Sequence, residues 1–182
     1  MAVHQNVASM AVEAIDEYLA TAEYCVNTVK PASDGVYGFA AVLLLFSVVD
    51  ALSNYFGYPE HSFGALRVLD PQLSATQAKS LKKWFRNPSS HQAMIMPGTK
   101  LTLEEGNAFE FAGREPSHVR IRPLFRLVSC AWEQFDRSKI TATFHSLELP
   151  QSIINLTGAS TAAPIAPSGC YVPAPPHKRA ER

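Results

Sequence analysis

The residues with the most chemistry per unit length are Arg86-Asn87-Pro88-Ser89-Ser90-His91, in which a guanidinium and an imidazole flank an asparagine, with four residues between Arg and His. Asn is a good helix N-cap and Pro is favoured at the first helical position. The stretch therefore predicts that Arg86 closes one helix and His91 sits in the first turn of the next. Free backbone N–H groups in such a first turn favour an anion, and a guanidinium can hold two phosphate oxygens at once. The positive helix end favours neutral imidazole, ready to take or give a proton. Together these groups suit RNA cleavage. There the substrate's own 2′-hydroxyl attacks phosphorus, and the protein must move protons and neutralise charge on the phosphorane.

Two further groups bear on that site. Lys79, Lys82, Lys83 and Arg86 fall at i, i+3, i+4 and i+7, so a helix would gather four cations on one face, fit either to hold RNA phosphates or simply to meet solvent. Asp50 interrupts an apolar run, with Ser47 and Asn54 beside it on a helix. A carboxylate there needs a partner. It either faces and orients Arg86 or His91, or is a structural carboxylate bonded to a helix end.

Apolar residues recurring every three or four positions predict a first helix from Val7 to about Val29, ended by Lys30-Pro31. Residues 36–56 are apolar nearly all round, which marks the central helix of a bundle. Short helices are expected over 61–69 and 88–96. Ser74 and Gln77 form a capping box that opens a helix over 75–86. Residues 100–104 and 108–112 alternate around Gly106-Asn107 and predict a hairpin within about 99–122, with 118–122 as a third strand. A last helix face runs over 124–135. Beyond residue 157 the chain turns to Ala, Pro, Ser and Thr, too poor in large apolar residues to order itself. The expected organisation is a helical domain over 1–157 and a flexible tail over 158–182.

Composition narrows the functions. The 16 basic and 16 acidic side chains cancel, so no global field holds long nucleic acid, and any polyanion site is local. The run from Phe39 to Val49 is far short of the roughly 20 apolar residues of a membrane span. No charged start or long apolar stretch marks a secretory signal, so a cytoplasmic location is expected. Cys25, Cys130 and Cys170 fit neither a disulfide framework nor a metal site, and reduced thiols are expected. His4, His61, His118, His145 and His177 lack metal-ligand spacing. No metal or other cofactor is called for, and phosphate-cradling or hydrolase motifs are absent.

The Arg86, Asn87 and His91 pattern, with Trp84-Phe85 before it, Gln92 after it and the apolar helix ending in Val49-Asp50-Ala51-Leu52, resembles the signature of the HEPN superfamily. The resemblance spans roughly residues 7–96. It implies a mainly α, HEPN-like helical bundle, here carrying a small β-hairpin insertion and a flexible C-terminal tail that the plain family pattern lacks. It implies a metal-independent endoribonuclease, of a kind that includes toxins and antiviral effectors, with Arg86 and His91 catalytic and Asn87 supporting them. It further implies a site completed across a homodimer, and an antitoxin or other regulatory protein as partner. The alternatives are a non-catalytic module of that fold binding RNA, a nucleotide or a protein, and an unrelated helical regulator in which Arg86 pairs with an acid while His91 caps or packs.

Overall fold

The computed structural model describes residues 7–55, 63–86, 98–135, 137 and 140. Helix accounts for 63% of them. The expected helix over 88–96, the ambiguous stretch after 140 and the tail lie outside the described residues.

Helix α1 (Val7–Asn27) buries Ile15, Leu19, Ala22 and Val26, the i, i+4, i+7, i+11 series of one helix face. Its expected face is wider than what packs. Met10 and Tyr18 are exposed. The chain then turns at residues 31–34, where Lys30 N–H donates to the Gly35 carbonyl (2.9 Å) and Val29 bridges Val36.

Helix α2 (Gly38–Tyr55) is the centre of the bundle. Val42, Leu45, Phe46, Val49 and Leu52 are all fully buried, and the helix packs against α1, the helices Gly64–Leu69 and Ile121–Gln134, and the turn Lys82–Arg86. This is the one described helix long and apolar enough to cross a membrane by length and composition, and half of it is buried inside the fold. Buried Ser53 donates to the Val49 carbonyl (2.8 Å) and accepts from Ala65 N–H (3.2 Å), so α2 caps the start of α3 (Gly64–Leu69).

Helix α4 (Ala75–Leu81) opens as its sequence predicts. Ser74 Oγ accepts from Gln77 N–H (3.2 Å) and Gln77 Oε1 accepts from Ser74 N–H (2.9 Å). The expected single helix over 75–86 does not stay α. Residues Lys82–Arg86 form a π-helical turn, and Lys82 N–H donates to both Ala78 and Lys79 carbonyls. A π turn accommodates about one extra residue, which shifts the following helix face by about 100°. The four-cation register therefore does not run unbroken from Lys79 to Arg86.

The sheet corrects the hairpin expected around Gly106-Asn107. Strands β1 (Lys100–Thr102), β2 (Phe109–Ala112) and β3 (Glu115–Arg120) are ordered β1-β3-β2, with β1 parallel and β2 antiparallel to β3. The hairpin is β2–β3, closed by Gly113-Arg114. Gly113 has a φ of 66°, a left-handed conformation that glycine adopts without penalty. Placing β3 centrally also sets fully buried Val119 between Leu101 and Phe109, which a 100–104/108–112 pairing could not do.

Helix α5 (Ile121–Gln134) starts directly after β3 and takes Ile121 and Arg122 from the strand expected over 118–122. Pro123 is tolerated there because first-turn N–H groups lack helical partners anyway. Leu124, Val128, Ala131 and Trp132 face the core. Ile121 meets α2 closely enough that a Cβ on Gly38 would lie 2.9 Å from its Cδ1. The expectation of reduced thiols holds for Cys25, free and buried, and fails for Cys130, which is disulfide-bonded.

Candidate functional site

Phe46 and Asp50 stand one turn apart on α2. Phe85 and Lys82 stand three residues apart on the π turn. Phe46 and Phe85 pack ring to ring at 5.4 Å, and Lys82 Nζ lies 3.5 Å from Asp50 Oδ1, so the two segments run antiparallel and are joined at two points. The lysine and aspartate side chains are 19% and 20% exposed. At 3.5 Å the pair is longer than a tight charged hydrogen bond, so it is mainly Coulombic. Because both side chains are about four-fifths covered, desolvation offsets much of the Coulombic gain and the net contribution is about 1 kcal/mol or less, whereas removing one partner leaves the other charge uncompensated.

Helical geometry explains why Lys82 leaves the expected solvent stripe. It lies one turn after Ala78, about 40° around the helix, and Ala78 is buried. Lys79 and Lys83 are exposed. Ser47 Oγ donates back to the Leu43 carbonyl (2.8 Å), which satisfies it within α2, whereas Asp50 reaches across to the neighbouring segment. Asp50 thus packs against the turn that ends in Arg86, through Lys82. Asn87 and His91 lie outside the described residues, as does the Arg86 side chain. Among the described residues, no group of three His, Cys, Asp or Glu side chains is placed to hold a metal ion.

A second polar constellation covers the outer face of the sheet, and the sequence reading missed it. Thr102 Oγ1 and His118 Nε2 are 2.8 Å apart. His118 Nδ1 lies 3.6 Å from Glu110 Oε2, and its Nε2 lies 3.8 Å from Glu104 Oε2. Arg120 binds the Glu110 carboxylate and donates to the Asn107 carbonyl (2.9 Å). That bond to Arg120 holds the Glu110 carboxyl below its ordinary range, with the charges of Arg120 and His118 assisting.

His118 and Arg120 are largely covered, while Glu104 and Glu110 are half or more exposed. Two carboxylates thus lie across a guanidinium and an imidazole, clasping three strands. The hydroxyl–imidazole–carboxylate order can relay a proton. Both carboxylates are nevertheless engaged by Arg120, so the cluster's first use is to fix β1 and β2 on β3. The available signal was alternation: residues two apart on a strand share a face. It became readable only with the β1-β3-β2 pairing, which sets Lys100 and Glu110 on either side of His118.

No family model, curated protein or solved structure matches the chain.

Proposed function

We propose that the protein is a metal-independent endoribonuclease acting through Arg86 and His91. The observation that supports this reading is the packing of Asp50, on the central helix, against the turn that delivers Arg86 to the start of the motif. In the proposed reaction the 2′-oxygen bonds to phosphorus as the phosphorus–5′-oxygen bond breaks. One imidazole removes the 2′-hydroxyl proton and another protonates the departing 5′-oxygen, which a homodimer supplies by bringing two copies of His91 to one cleft. Arg86 neutralises the growing charge on the phosphorane. Asn87 caps the following helix and positions both groups. Lys79 and Lys83 hold flanking phosphates. With no net charge to grip a long track, a structured or partner-delivered RNA in the cytoplasm is the substrate.

The test is incubation of purified protein with RNA in the presence of EDTA. Cleavage that survives chelation and disappears in both Arg86→Ala and His91→Ala is expected. Binding without products identifies the non-catalytic module instead. Unchanged cleavage in either variant removes the proposal.

A further inference from the structure

We infer that Asp50 and Lys82 are a positioning pair for Arg86, and that Lys82 serves the site through Asp50 rather than by touching RNA. The inference rests on the nuclease reading only for what Arg86 does; the clamp itself stands on the observed packing. A π turn is a rare departure from helix geometry, often found at functional sites, and it persists only where surroundings hold it. Two holds are seen among the described residues. Phe85 is fully buried against Phe46, which also stacks on Phe63 at 5.1 Å. Lys82, the first residue of the turn, is tied to Asp50.

The spacing of the holds differs by one residue. Phe46 to Asp50 rises about 6 Å along α2 and Lys82 to Phe85 about 4.5 Å or less along the antiparallel segment, a difference the long lysine stem spans. The apolar hold fixes depth, because Phe85 fills a closed part of the core. The Lys82–Asp50 pair, on a different side of the turn, adds a restraint on its rotation. Arg86 directly follows Phe85, so backbone rotation in this turn carries over to it without an intervening joint. Lys79 and Lys83, exposed on either side of Lys82, have no such tie and remain available to phosphates.

The experiment reads the turn and the reaction separately. Hydrogen exchange of the amides of residues 82–86 is followed in wild type, Asp50→Asn, Lys82→Met and the double swap Asp50→Lys with Lys82→Asp, each checked for intact helix content by circular dichroism. Lys82→Met keeps the apolar stem and loses only the charge. Either single variant is expected to speed exchange at 82–86 about tenfold over wild type, with distant amides of α1 unchanged, and the swap to restore protection.

In RNA cleavage, the single variants lower kcat about 10- to 100-fold with KM within about twofold, as misplacement of a reacting group does. Lys82→Arg retains activity. Unchanged exchange at 82–86 in folded Asp50→Asn and Lys82→Met overturns the positioning pair. So does a raised KM at constant kcat in Lys82→Met, which would make Lys82 an RNA contact. Altered exchange in a protein that cleaves no RNA removes the nuclease reading and leaves the clamp in place.

Discussion

The indole N–H of Trp132 donates to the carboxylate of Asp16 over 2.6 Å, joining two side chains that are 116 residues apart in sequence. Arg137 completes the group, stacked 4.7 Å over the Trp132 ring and 3.6 Å from the same carboxylate oxygen. Trp132 is nearly fully buried while the Asp16 side chain is 48% exposed, so water replaces the carboxylate at the indole N–H only in part once Asp16 is removed. Asp16→Ala is expected to cost about 1–2 kcal/mol and lower Tm by about 3–8 °C. Asp16→Asn keeps an acceptor and should lose less. Thermal unfolding of the two variants side by side checks this, and equal losses would assign the effect to charge rather than to the indole bond.

Acid should loosen the sheet through Glu110. Arg120 holds its carboxyl below the ordinary value of 4.5 in the folded chain. A depressed folded value contributes stability above the unfolded value, and that contribution disappears as pH falls through the folded one. Exchange protection of β2 and β3 amides should therefore drop below about pH 4.5 in wild type. In Glu110→Gln it should be lower at neutral pH and flatter through the acid range.

Asp70 carries the opposite sign. Burial raises its carboxyl above the ordinary 3.8, only partly offset by the bond from Gln72 N–H (3.1 Å). Its contribution is favourable below the unfolded value and is lost as pH rises through the folded one, so the ionised form is a liability at neutral pH. Asp70→Asn preserves the acceptor and removes the charge. Its Tm at pH 7 should rise by roughly 2 °C, and the gain should vanish at pH 3.

Gly38 permits the close approach of α5 to α2. Gly38→Ala sets a methyl 2.9 Å from Ile121 Cδ1, and overpacking of this kind costs about 1–3 kcal/mol. Ile121→Val deletes the clashing methyl. The double variant should be more stable than Gly38→Ala alone, a non-additivity that denaturant unfolding reads directly.

The helices were legible where local chemistry dictates them. Ser74 and Gln77 announce a helix start on their own, and an all-round apolar run over 36–56 leaves no place for α2 but the centre. The sheet was not, because Gly106-Asn107 and Gly113-Arg114 are both acceptable turns. The choice between them is made by burial of Val119 between Leu101 and Phe109, a non-local term. The π turn left no mark in residue types, since it arises from how Phe85 and Lys82 dock on α2. For the same reason the stripe of cations was readable but Lys82's partner was not. Asp50 was singled out because an ionised group on an apolar helix needs a partner, and one partner, Lys82, opens the π turn that ends in Arg86.

The central claim is that Arg86 and His91 drive attack by a substrate's own 2′-hydroxyl. Its most direct measurement is the chemistry of the cut ends, on an RNA that the protein cleaves and on the same RNA with one 2′-deoxy nucleotide at the cleavage position. The predicted result is 2′,3′-cyclic phosphate and 5′-hydroxyl ends, with the deoxy substitution abolishing that cut. Ends bearing 5′-phosphate, or a cut that persists at the deoxy position, would contradict it.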